Sequence, residues 1–355
     1  MNIGILTFHS EINYGAFLQA ASLRSTIRSL GHTCDVVPYV NLRHLSAMRF
    51  RPLVYRRPSR LLHDLRKRRA VCRAQHSMGW IKTTSNAGSI DWSQYDAIVV
   101  GSDIVWDFAK PGLGSDPVFA GVLPPAFKGR LVAYAPSIGA MSPTEKLPEE
   151  MIEGLRRFSW IGVRDRRTAD FVHAHVGVLP PIVADPTWLP FTHRPSYRAK
   201  WKTDLSDTLL VYSFPLNPKS PIESQYLSSL VGYARDRDMK VLACGYFQPG
   251  IVGRLQGLTP WEWIGAFQRA GCVVTGTFHG ALFSIRYGKR FVVLPHPQVT
   301  AKLSDALATV EAEWRMLSGN VDFDTVLDCD PDPATQIRAE KFGERSLEAL
   351  RQALS

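Results

Sequence analysis

Short apolar runs alternate with amphipathic stretches along almost the whole chain, and each apolar run ends in a turn rich in glycine, serine or proline. "NIGILTF" reads as a strand, and "AFLQAASLRSTIRSLG" follows as a helix closed at its C-terminus by Gly31. "TCDVVPYV", "YDAIVVGSD" and "RLVAYAPSIG" are further strands, and "WIGVRDRRTADFV" is a short strand leading into a helix that starts near Asp165. "PIVADPTWLP" is expected to close this half as a strand. A second series repeats the pattern: "TLLVYSFP", "MKVLACGYF", "CVVTGTFHG" and "RFVVLP" as strands, separated by "SQYLSSLVGYARDRD", "TPWEWIGAFQRAG" and "ALFSIRYG" as helices. In "TPWEWIGAFQRAG", Thr259 is the expected N-cap, Pro260 the first helical residue and Glu262 the partner of a capping box. Strands alternating with helices predict α/β architecture on parallel sheets.

At 355 residues the chain is long enough for two domains. We expect an N-terminal domain over 1–190 carrying a basic insertion at about 43–75, a polar linker around "FTHRPSYRAKWKTDLSD", a second α/β domain over 205–330, and a C-terminal helix at 331–355 lying back on the first domain. The insertion holds eleven Lys and Arg against one acid, Asp64, and so accounts for the whole net charge of +10. Leu61, Leu62 and Leu65 at helical spacing, with Phe50 and Tyr55 nearby, suit contact with an anionic membrane or a phosphate-bearing substrate; a solvated, partly disordered insertion is the plainer reading. No nucleic-acid-binding motif accompanies the charge. The five cysteines, dispersed and never in CxxC spacing, read as reduced thiols. No apolar run approaches the roughly 20 residues of a spanning helix, and the N-terminus has no signal-peptide pattern, so a cytoplasmic protein is expected. His173 and His175, two apart on a helix, do not share a face, and no metal site is expected.

In α/β sheets ligands bind outside the carboxyl ends of the strands, which singles out four loops. Asn13, Tyr14 and Gly15 precede a helix whose free N–H groups suit an anion or a sugar hydroxyl, or they serve only as turn and cap. Asp103 ends a strand and reads as a hydroxyl-binding carboxylate, a base or an N-cap. Arg164 is the arginine of "GVRDRRT" closest to a strand end, where a guanidinium suits carboxylate or phosphate. His279 occupies the matching turn of the second series, followed by Gly280, which would let a ligand approach the backbone; a structural histidine is the alternative.

Taken in order, "NYGAFLQAASLRSTIRSLGH", "VVGSDIVWD", "VAYAPSIG", "GVRDRRT", "VADPTWL" and "VVTGTFHGALFSIRYGKRFVVL" resemble the polysaccharide pyruvyl transferase family. The resemblance implies two Rossmann-like domains in a GT-B-like arrangement with an interdomain cleft. It implies transfer of a pyruvyl group from phosphoenolpyruvate, with no cofactor, to a saccharide hydroxyl pair as a ketal, in exopolysaccharide, capsule or cell-wall glycan synthesis. His279 is then assigned to phosphate binding or general acid catalysis, and Arg164, Gly280, Thr277 and Lys302 to the donor. Asp103 takes the acceptor hydroxyl, and Asn13, Tyr14, Gly15 and Gln19 line the acceptor side. Several family members carry arginine where this chain has Thr277, a loss for which Lys302, Arg286 or Lys289 would compensate, or which marks a branch that binds a different donor. Acceptors of this kind are carried on polyprenyl diphosphate, which would place the basic insertion at the inner membrane face. A nucleotide-sugar glycosyltransferase of GT-B type and a non-catalytic glycan-binding protein are the alternatives.

Overall fold

The computed structural model describes residues 1–44, 46, 58–109, 114–190, 204–297, 299–318 and 322–355. Arg49, Phe50, Arg51, Tyr55, Arg56 and Arg57 of the basic stretch, and most of the expected linker, lie outside the described residues. The chain divides into two compact units, one formed by 1–51, 75–194 and 340–355, the other by 52–74 and 195–339.

The first unit is built on a parallel sheet in the order β2-β1-β3-β4-β5, with β1 Asn2–Leu6, β2 Thr33–Val36, β3 Ala97–Val100, β4 Arg130–Tyr134 and β5 Trp160–Gly162. β3, "AIVV", is buried at every position, as a strand covered on both faces must be, whereas β2 alternates exposed and buried at the sheet edge. Its helices are α1 Tyr14–Ser29, α3 Glu149–Arg156 and α4 Arg166–Val176. Gly31, just past α1, has φ 90°, the left-handed geometry that ends a helix at little cost in glycine. "PIVADPTWLP" forms no strand: Ile182 makes an isolated bridge to Val163 and a 3-10 turn follows at Pro186–Trp188. Three prolines in that stretch remove the N–H donors a ladder needs.

The second unit carries a parallel sheet in the order β10-β9-β6-β7-β8, from β6 Thr208–Tyr212, β7 Lys240–Cys244, β8 Arg254–Leu255, β9 Cys272–Thr275 and β10 Arg290–Val293. Flanking it are α5 Pro221–Asp236, α6 Pro260–Arg269, α7 Phe278–Arg286, α8 Thr300–Thr309 and α9 Phe323–Asp328. The capping box of α6 forms as its sequence dictates, Thr259 accepting from the Glu262 N–H and Glu262 accepting from the Thr259 N–H at 2.8 Å.

The basic stretch supplies α2, Pro58–Ser77. His63, Lys67, Ala70, Val71, Ala74 and Gln75 are buried, a helical stripe, while Leu62, Leu65, Arg66, Arg69 and Arg73 on the opposite stripe are exposed. Residues 52–74 cluster with the second unit, because His63 sets its ring edge-on to Phe247 at 6.1 Å and Arg66 donates to Gln256 at 2.6 Å. The final helix, α10 Pro333–Leu354, ends in the first unit, where Arg130 donates to the backbone carbonyls of Ala353 and Ser355.

Candidate functional site

Strand order locates the loops that matter. In the first sheet the connections leave β1 in opposite directions, so the chain reverses between β1 and β3; in the second it reverses between β6 and β9. Loops at the carboxyl ends of such a pair splay apart and leave a crevice. After β1 comes the Asn13 loop, after β3 Asp103, after β6 Phe214 and after β9 the Thr277–His279 turn.

Asn13 is extended and caps α1, accepting from Gly15 N at 2.9 Å, so the helix start is satisfied by the chain itself. Tyr14 is buried. Gln19 is fully buried and works for the fold: its Nε2 donates to Thr7 Oγ1 at 3.0 Å and to the Ala16 carbonyl at 2.9 Å. Thr7 Oγ1 in turn donates to the Ser102 carbonyl, tying α1 to the ends of β1 and β3.

Asp103 has φ 80°, an unusual conformation for a residue with a side chain, and Oδ1 accepts from Ile104 N at 2.8 Å. Arg164 draws this loop to the next: Nη2 lies 3.9 Å from Asp103 Oδ1, and Nη1 donates to Asp185 Oδ2 at 3.1 Å. Asp185 also accepts from the N–H and hydroxyl of Thr187 and from Ser102 Oγ. The side chains of Arg164 and Asp185 are 2% and 0% exposed, so this is a buried ion pair. A donor arriving at Arg164 would have to compete with a carboxylate already in place. Asp185 is the residue sequence reasoning missed; its position directly before Pro186, at the start of a 3-10 turn, is the only local sign of it.

In the second unit, Thr277 is the N-cap of α7 and accepts from Gly280 N at 3.1 Å, while its own N–H donates to Thr275 Oγ1. Thr275 Oγ1 donates to the Tyr212 carbonyl at 2.7 Å, joining the ends of β9 and β6. A Cβ on Gly280 would meet Thr275 Oγ1 at 2.0 Å, so its small size serves the seating of α7 on β9. Thr277 therefore has a job that arginine could not do, since only a short oxygen-bearing side chain caps a helix in this way.

His279 follows in the first turn of α7, 9% exposed, edge-on to Phe278 at 5.4 Å. Lys302 on α8 places Nζ 5.8 Å from the centre of the same Phe278 ring. Lys302 is brought there by a tight turn in which Thr300 Oγ1 accepts from His296 N and donates to the His296 carbonyl. Arg286 and Lys289 sit at the far end of α7, where Lys289 Nζ donates to the Gln268 and Ala270 carbonyls. Of the three basic residues expected to compensate for Thr277, Lys302 is the one at the His279 end.

The aromatic residues of this edge escaped sequence reasoning. The Phe214 ring is tilted against His296 at 4.3 Å and against Tyr246 at 5.5 Å between centres, and Lys67 Nζ lies 4.6 Å from the centre of the Tyr246 ring. "SFP" and "GYF", at the ends of two strands, are the only local signal. Burial lowers the His296 pKa. Among the described residues no group of three or more His, Cys, Asp or Glu is placed to hold a metal ion, and no helix is long and apolar enough to cross a membrane.

Two solved structures are similar over nearly their whole length. A putative UDP-N-acetylglucosamine 2-epimerase from Listeria monocytogenes is 11% identical, with a TM-score of 0.51 over 100% of this chain and 96% of that one. UGT89C1 of Arabidopsis thaliana, complexed with UDP-L-rhamnose, is 13% identical, with a TM-score of 0.51 over 98% and 94%. At such identity the likeness shows the fold alone, a GT-B-like α/β fold with two parallel sheets. No curated protein matches the chain. The sequence model of the polysaccharide pyruvyl transferases matches residues 13–297, most of the chain, and the protein belongs to the polysaccharide pyruvyl transferase family.

Proposed function

We propose that the protein transfers the pyruvyl group of phosphoenolpyruvate to two hydroxyls of a saccharide, forming a ketal and releasing phosphate. Beside family membership, the observation that supports this is a protonatable side chain, His279, in the first turn of the helix rising from the reversal-point strand β9, with the ammonium of Lys302 facing the ring next to it. The donor carries a phosphate and a carboxylate, and a cation beside a donor of hydrogen bonds answers both. The methylene carbon of the enol phosphate takes a proton, the adjacent carbon gains cationic character, and one hydroxyl adds to it and loses its proton. The bond from that carbon to the phosphate oxygen breaks as phosphate leaves with a proton, and the second hydroxyl adds in its place and loses its proton to close the ketal. His279 is assigned to the phosphate and to general acid catalysis, Lys302 to donor charge, and Asp103 to a hydroxyl proton. Arg164, paired to Asp185, is assigned to holding Asp103.

The test is phosphate release by the purified chain from phosphoenolpyruvate with a lipid-linked saccharide fraction, run beside nucleoside diphosphate release from sugar nucleotides. Phosphate release should require both phosphoenolpyruvate and saccharide. His279→Gln should lower kcat/KM by about 10²–10⁴ with an unchanged melting temperature. Nucleoside diphosphate release in place of phosphate would favour the glycosyltransferase reading, and full activity in the variant would remove His279 from the chemistry.

We also propose that the exposed stripe of α2 rests on an anionic membrane, since Leu62 and Leu65 are 48% and 45% exposed beside Arg66, Arg69 and Arg73. Each arginine near such a surface contributes about 1 kcal/mol, so replacing all three by glutamine should abolish sedimentation with phosphatidylserine vesicles. Undiminished sedimentation would dismiss the idea.

A further inference from the structure

The inward face of α2 has a different character from its outward one. Lys67 is only 8% exposed, and its ammonium is held over Tyr246, the second residue beyond β7. From there the rings of Tyr246, Phe214 and His296, each half-buried with part of its surface accessible, run in unbroken contact along the carboxyl edge of the second sheet. They cross the reversal point between β6 and β9: Gly276, just past β9, approaches Ser213 so closely that a Cβ there would lie 2.5 Å from Ser213 Oγ. Neighbouring strands are about 4.8 Å apart, so the end of β7 before Tyr246, two strands from β9, stands about 10 Å from the end of the strand that leads into the His279 turn. That span is longer than a three-carbon phosphate and suits a phosphorylated hexose.

We propose that this strip is the subsite for a phosphate-bearing saccharide, with the sugar lying against Phe214 and Tyr246 and its phosphate taken by Lys67. The proposal rests on the pyruvyl-transfer reading and deepens it, by naming the acceptor class and the residues that hold it. Aromatic faces cover the apolar face of a sugar ring with little loss of side-chain freedom, and an ammonium over a ring is partly desolvated, so its charge acts more strongly on a phosphate than it would in water. His296, whose ring packs on Phe214, offers a hydrogen-bonding nitrogen at the other end of the strip.

Calorimetric titration of the full-length protein tests this without turnover. The probes are glucose, galactose and mannose 1-phosphates, the corresponding free sugars, and phosphoenolpyruvate. At least one hexose 1-phosphate should bind. Lys67→Met should weaken it about ten- to hundredfold and leave phosphoenolpyruvate and free sugar unchanged. Lys67→Arg should restore most of the affinity, and Tyr246→Ala should weaken sugar and sugar phosphate alike. Melting temperatures establish that each variant is folded. Binding of no hexose 1-phosphate, equal binding by Lys67→Met, or a parallel loss of phosphoenolpyruvate affinity would each overturn the subsite. Should phosphoenolpyruvate prove not to be consumed by the wild type, the pyruvyl-transfer reading fails while a Lys67-dependent sugar phosphate site stands.

Discussion

In the first unit a buried guanidinium, Arg164, meets Asp185 at 3.1 Å and Asp103 at 3.9 Å; in the second, the ammonium groups of Lys67 and Lys302 face aromatic rings. Both arrangements stand at the carboxyl ends of parallel strands in sheets of closely related plan. The first sets one guanidinium between two carboxylates and ties down a loop whose Asp103 has positive φ. The second directs cations towards π faces, which attract them through the ring quadrupole. Similar scaffolds thus carry one edge where a guanidinium meets carboxylates and another where ammonium groups meet aromatic rings, and the difference lies in side chains that arrive from elsewhere in the chain.

The sharpest way to break this contrast is to unbalance the first edge. Arg164→Met leaves Asp185 ionised and buried, and should cost about 3–5 kcal/mol in urea unfolding, a loss that Asp185→Asn in the same chain should partly reverse. A cost below about 1 kcal/mol would mean that the pair is not the buried anchor described here.

A second test uses pH. His9, in the loop after β1, is 2% exposed, and burial lowers its pKa to about 4 despite the opposing effects of the Thr7 carbonyl and Asp35. Below its unfolded value of about 6.5 the unfolded chain takes up a proton that the folded chain refuses until about pH 4. Its contribution is therefore complete above pH 6.5 and is lost as pH falls towards 4, about 3 kcal/mol in all. Unfolding measured at pH 7 and pH 5 should show a smaller drop in His9→Gln than in the wild type; identical drops would place the titration elsewhere.

The smallest effect is expected at the second edge. Thr277→Ala removes the cap of α7 and should cost about 1 kcal/mol, with Thr277→Ser close to wild type. If Thr277→Ala raised the KM for phosphoenolpyruvate without altering the melting temperature, Thr277 would be a ligand contact instead of a cap.

What the sequence revealed was local. The strand–helix alternation, the capping box at Thr259 and Glu262, the N-cap Asp165 and the left-handed Gly31 all lie within a few residues of their partners, so pattern sufficed. The Arg164–Asp185 pair was hidden because its members are 21 residues apart, with α4 between them. Lys67 was read as one charge among eleven; that it faces inward follows from the burial stripe of α2 and from Tyr246, far along the chain. Gln19 was assigned to the acceptor side by the family resemblance, and no local pattern showed that its amide nitrogen donates to Thr7 and Ala16. Even His279 was ambiguous by itself, and the order of strands in the second sheet is what places its turn at a reversal point.

The most direct test of the central claim is to supply phosphoenolpyruvate labelled with ¹³C in all three carbons to the wild-type protein and a lipid-linked saccharide fraction, and to determine the mass of the released glycan. The account predicts an acid-labile, pyruvate-sized addition carrying all three labels, formed with an equal amount of phosphate and absent with His279→Gln. An unmodified glycan with phosphoenolpyruvate left intact, or a mass gain of a whole sugar when sugar nucleotides are supplied, would contradict it.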